Sequence, residues 1–185
     1  LSEWKMDAWT ISAGLMHDVI EDTEISHEDM VETFGDEIAQ LVDGVSKLSG
    51  IKFSSRREKQ AENFMKMFLS VAKDLRVIII KFADRLHNMT TIEHLPLIKQ
   101  RRIAIETRDV YAPLAHRLGM NKLKIELEDL ILKTLEPEEF NQLQKKTRAS
   151  RKQREKYIEE FSKPINNELQ NFKINAEIVG RVKHY

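Results

Sequence analysis

An imidazole and three carboxylates crowd into GLMHDVIEDT, where His17-Asp18 precedes Glu21-Asp22, and one further carboxylate, Asp84, lies inside IIIKFADRLHNM. On a helix, about 100° per residue places His17, Asp18, Glu21 and Asp22 within an arc of about 140°. The opposite side of that helix carries Leu15, Val19 and Ile20. One nitrogen donor with oxygen donors suits a divalent cation of intermediate softness such as manganese or zinc. Carboxylates that stay off the cation are then available to handle water and protons. The pattern reads as a hydrolytic metal site. Taken without its surroundings, the His17-Asp18 pair is equally readable as an ion pair at a helix end.

The elements that must position these groups are helices. The chain has 185 residues, 41% hydrophobic and 32% charged, with six Gly, four Pro and 7% aromatics. Such usage favours a mostly helical protein with one sizeable core, or one domain and the beginning of another. Formal net charge is zero, so no global field recruits nucleic acid. No apolar run reaches the roughly 18 residues of a membrane span, and no signal peptide is visible. Absent cysteine excludes disulfides and thiolate sites and fits a cytoplasmic location. The first residue is Leu1, which is expected of a fragment or a processed chain.

Along the chain, a break is expected near Lys5-Met6-Asp7, followed by the helix that carries the histidine. Glu21 to Glu28 reads as a polar turn with Thr23 and Ser26 as caps, and Phe34-Gly35-Asp36 as punctuation before Ile38, Leu41, Val42, Val45 and Leu48 at helical spacing. Residues 49–56 read as a loop and 60–73 as an amphipathic helix. Val77 to Ile80 resembles a buried strand, but Leu75, Ile78, Ile79, Phe82, Leu86 and Met89 recur as a helical stripe with Asp74 as N-cap. Asp84 then shares a face with Ile80, Lys81, His87, Asn88 and Thr91. Helices over 99–118 and 122–135 break at Gly119-Met120-Asn121, and Pro137 opens a long charged helix to about Phe172 with a kink or restart at Pro164. The basic run from Lys145 to Arg154 is interleaved with acids further on and reads as a solvated face. His87 and His94 read as surface polar residues rather than a second ligand pair. After Asn175, AEIVGRVKHY changes to a short β-rich character.

Several strings together resemble the RelA/SpoT family: HDVIEDT (17–23), FGDEIAQLVDGVSKL (34–48), QAENFMKM (60–67), KFADRLHNM (81–89), YAPLAHRLGM (111–120), KIELEDL (124–130) and GRVKHY (180–185). HD followed by a distant Asp is shared by many metal phosphohydrolases, whereas YAPLAHRLGM followed by ELEDL is far more specific. The resemblance implies an all-α, HD-domain-like helical bundle, followed by the start of a mixed α/β synthetase domain. It implies a hydrolase domain over 1–135, a linking helix over 136–173 and the first strand of a pyrophosphokinase domain over 174–185. The implied activity is manganese-dependent removal of the 3′-pyrophosphate of (p)ppGpp, within a bifunctional GTP pyrophosphokinase of the stringent response.

By motif, the resemblance makes His17, Asp18 and Asp84 metal ligands and makes Glu21 and Asp22 the pair that polarises water and shuttles its proton. Asn88 and Thr91 would approach the nucleotide, and Arg181 and Lys183 match basic ATP contacts of the synthetase. The family's further metal-binding histidine and its guanine-holding basic residues are expected upstream of Leu1, and its synthetase sheet beyond Tyr185. Thr90 stands where the family usually has Arg. The implied partner is a small nucleotide, with no membrane, and with ribosome association only through regions outside this chain. Two other readings stay open: an HD phosphohydrolase acting on another nucleotide, and a catalytically incomplete helical regulatory module.

Overall fold

The computed structural model describes residues 1–49 and 74–176, apart from the side chains of 49 and 147–155. All regular elements among the described residues are helical. After a 3₁₀ turn at Ser2–Trp4 come α1 (Ala8–Leu15), α2 (Val19–Asp22), α3 (His27–Phe34) and α4 (Asp36–Ser49). Then follow α5 (Leu75–Thr90), a 3₁₀ turn at Ile92–His94, α6 (Leu97–Glu106), a π turn at Thr107–Tyr111, α7 (Ala112–Arg117), α8 (Asn121–Leu135) and α9 (Pro137–Asn171). The expected loop and helix within 50–73 and the β-rich segment from 177 lie outside the described residues.

Local chemistry explains the boundaries. Asp7 caps α1 by accepting from Thr10 N at 3.0 Å. Ser26 caps α3 in a reciprocal box with Asp29, which satisfies two backbone donors at once. Gly35 ends that helix at φ 85°, a conformation that costs a residue without Cβ nothing. Asp74 caps α5 through Arg76 N at 2.8 Å. Gly119, at φ 74°, turns the chain between α7 and α8.

The chain divides into two compact units, Leu1–Leu135 and Glu136–Tyr185. The first holds two apolar clusters. One gathers Ile78, Phe82 and Met89 of α5 with Ala104, Tyr111, Leu114, Leu123, Leu127 and Ile131. The other gathers Val77 and Ile80 of α5 with Ala13, Met30, Ile38, Leu41, Val42 and Val45. Each fully enclosed side chain of this size contributes about 1.5–3 kcal/mol. Helix α5 therefore serves both clusters and is buried around much of its circumference. The expected stripe is corrected accordingly: Leu75 is exposed, while Ile80, Lys81 and Arg85 are buried. Leu15, expected on the apolar side of the histidine helix, is 83% exposed.

The second unit is described by α9. Its opening proline sits in the first turn, where the missing N–H costs no hydrogen bond. Of the kink or restart expected at Pro164, the restart is absent, because the helix runs through that residue without ending. Lys156–Glu160 and Glu159–Lys163 pair four residues apart along it, and Lys145 and Lys146 are exposed, as a solvated charged face requires.

Candidate metal centre

Helix α1 ends early, and that ending builds the site. Met16 N donates to both Ser12 and Ala13 carbonyls, which closes the helix with a tight last turn. The Gly14 carbonyl is taken by the His17 side chain, with Nδ1 at 3.0 Å. His17 therefore lies in the turn between α1 and α2, not on a helix as the sequence suggested. A side chain that bonds nearby backbone competes with helix continuation. The helix restarts at Val19, with Glu21 N and Asp22 N both bonded to the Asp18 carbonyl at 3.0 and 2.8 Å.

A carbonyl only accepts, so Nδ1 of His17 carries the proton and Nε2 presents its other face to the site. Nε2 lies 3.0 Å from Asp18 Oδ2 and 3.5 Å from Asp84 Oδ1. It is buried and makes no aligned hydrogen bond. An imidazole lone pair facing two carboxylate oxygens is repulsive unless a cation or a second proton lies among them, and a histidine held by its other nitrogen is oriented to offer this one to a metal. In donor type, one nitrogen and carboxylate oxygens, the three residues suit a divalent cation. They do not form a complete cage: among the described residues, no group of three or more His, Cys, Asp or Glu is arranged to hold a metal ion.

Asp84 reaches this point because of where α5 places it. Val77 and Ile80 pack in the cluster lined by α1 and α4, with Met16, Val19 and Ile20 at its edge. One turn past Ile80 the same stripe turns polar at Asp84, beside the turn that holds His17. Asp84 keeps 13% of its side chain exposed and is held on both oxygens: Asn88 Nδ2 donates to Oδ1 at 2.7 Å and Lys81 Nζ lies 3.1 Å from Oδ2.

Glu21 and Asp22 are exposed at the end of α2, with no side-chain partner among the described residues. Thr91 caps the end of α5 and bonds the His87 carbonyl at 3.0 Å, as Thr90 does at 2.7 Å. His87 and His94 are exposed and stand on separate elements. Arg181 and Lys183 lie outside the described residues.

Of the two basic residues beside Asp84, Lys81 is expected on its face from sequence, whereas Arg85 is not. Lys81 had a signal, its spacing of three from Asp84 on one helix. Arg85 had none, since its partners come from α6 and the π turn. Its Nη2 donates to Glu106 Oε1 at 3.0 Å and to Tyr111 Oη at 3.1 Å, and the guanidinium carbon lies 4.2 Å from the Tyr111 ring centroid. Burial works against its charge, but the Tyr111 hydroxyl and the Glu106 carboxylate outweigh that and hold the guanidinium above its ordinary value.

A helical unit with a His-Asp pair facing an Asp from a later helix defines a class, and comparison with known families agrees. The chain belongs to the HD-domain family, whose profile matches residues 1–121. It is similar over its whole length to the RelA/SpoT enzymes. It is 50% identical to a GTP pyrophosphokinase of Myxococcus xanthus, covering 100% of this chain and 25% of that protein. It is 46% identical to the bifunctional (p)ppGpp synthase/hydrolase SpoT of Escherichia coli, covering 100% of this chain and 26% of that protein. It is 50% identical to a probable guanosine-3′,5′-bis(diphosphate) 3′-pyrophosphohydrolase of Synechocystis, covering 96% and 24% respectively. The chain thus spans about a quarter of the length of these curated relatives. No helix among the described residues is long and apolar enough to cross a membrane.

Proposed function

We propose that this chain is the hydrolase part of a cytoplasmic, bifunctional alarmone enzyme and removes the 3′-pyrophosphate of (p)ppGpp. The observation that carries the reading is the buried Nε2 of His17, unpaired and facing the carboxylates of Asp18 and Asp84. The names of its relatives supply the substrate. His17, Asp18 and Asp84 would hold a divalent cation, manganese in this reading. When bound, such a cation neutralises developing phosphate charge and makes a water easier to deprotonate.

The chain's own residues do the rest. The Gly14 carbonyl fixes the imidazole tautomer and ring direction, so the ligating nitrogen needs no reorganisation. Asn88 holds the Asp84 oxygen that faces His17. Glu21 and Asp22, exposed one turn beyond Asp18, take the proton from the attacking water and return it to the leaving group. In this reading Asn88 and Thr91, both exposed toward the C-terminal end of α5, approach the nucleotide.

The test is release of pyrophosphate from ppGpp by the full-length protein in the presence of manganese, alongside Glu21→Gln. The wild type turns over, and Glu21→Gln loses about 10²–10⁴-fold in rate while keeping its manganese affinity. Turnover of other nucleotides but not of ppGpp would point instead to a broader HD phosphohydrolase. No hydrolysis at all would leave the regulatory module as the reading.

A further inference from the structure

Asp84 already has a cation of its own. Lys81 precedes it by one turn of α5, and the two side chains are enclosed to similar depth, at 11% and 13% exposure. A buried ammonium persists only where a charge or good acceptors compensate its lost hydration. Here Nζ lies 3.1 Å from Oδ2 of Asp84. The other oxygen, Oδ1, accepts from Asn88 at 2.7 Å and faces His17 Nε2 at 3.5 Å. The carboxylate is thereby divided: one oxygen for the site, the other for Lys81. The two carboxylates carry −2, and the ammonium brings their sum to −1.

We propose that Lys81 sets the strength of the site. By drawing on Oδ2, it weakens the attraction of Asp84 for a divalent cation while keeping Oδ1 aimed at His17. Its effect on the cation is charge against charge, through a carboxylate they share. A site of two carboxylates and one imidazole is thus held to a lower affinity than its ligand count implies, and exchanges its ion more readily. The proposal rests on the cation-binding reading of His17, Asp18 and Asp84 given above.

The experiment is manganese titration of the full-length protein by calorimetry, with the free-ion electron paramagnetic resonance signal as a second measure of bound metal. Lys81→Gln is the informative variant, because its amide can still donate to Asp84 but carries no charge. Its manganese affinity should rise on the order of tenfold, the scale of one charge acting on a divalent ion through strongly screening surroundings. Lys81→Arg, which keeps the charge, should stay within about twofold of wild type on the same scale. Lys81→Gln with unchanged or weaker affinity would overturn the proposal, as would Lys81→Arg behaving like Lys81→Gln. If the wild type itself binds no manganese, the cation reading falls, and this inference falls with it.

Discussion

Asn88 donates a 2.7 Å hydrogen bond to the same oxygen of Asp84 that lies 3.5 Å from His17 Nε2. One turn of α5 thus supplies both the proposed ligand and the group that orients it. The amide also limits Asp84 to one direction, since the other oxygen is engaged by Lys81.

From that relationship, Asp84→Ala should remove the only site carboxylate contributed by α5 and weaken manganese binding at least about 100-fold, whereas Asn88→Ala should cost about 10–100-fold, the usual effect of losing an orienting partner. Calorimetry on the full-length protein decides between them. Equal affinity in wild type and Asp84→Ala would remove Asp84 from the ligand set.

The Arg85 network makes a stability prediction. Glu106→Gln leaves a buried guanidinium short of its counter-charge and should destabilise the fold by about 1–3 kcal/mol, while Tyr111→Phe should cost about 1 kcal/mol. Because both partners bond the same Nη2, their losses should not sum in the double variant. Urea denaturation of the four proteins reads this directly. Strictly additive losses would show that the two contacts act independently.

Acid sensitivity follows from Asp74. Its carboxyl is held below the usual value of 3.8, chiefly by the Arg76 side chain that bonds it. Asp7, which caps α1, is lowered in the same direction by Thr10. A carboxylate lowered on folding stabilises the native state fully above the unfolded value and ceases to do so as pH falls through the folded one. Asp74→Asn should therefore be less stable than wild type at pH 7, and the gap should close below pH of about 4. A deficit that stays constant down to pH 2, measured by thermal melting across pH, would show that the charge of Asp74 is not its cause.

Much of this was legible from residue types. Caps at Ser26 and Asp74, the stops at Gly35 and Gly119, and the core face of α4 all follow from local chemistry that acts within a few residues. The meeting of His17 and Asp18 with Asp84 was legible only through the resemblance to a family, because nothing local ties the two segments. His17 was placed on a helix because periodicity assumes that the helix continues. The Gly14 carbonyl bonding to its ring is a local event that periodicity does not register. The buried surface of α5 is wider than its apolar periodicity implies for another reason. A helix between two clusters buries more than one face, and Lys81 and Arg85 go inside only because distant or neighbouring charges receive them.

The π turn at Thr107–Tyr111 carries a consequence of its own. It joins α6 to α7 as one continuous rod with a single residue more than an α-helix of the same path would hold. That extra residue works as a phase adjustment, turning Tyr111 toward Arg85 while Leu114 and Ala115 remain in the cluster with α8. Shortening the turn by one residue would leave a regular helix, but everything after the cut would be rotated by about 100°. The hydroxyl that meets Arg85 and the leucine that meets α8 could then no longer both be in place.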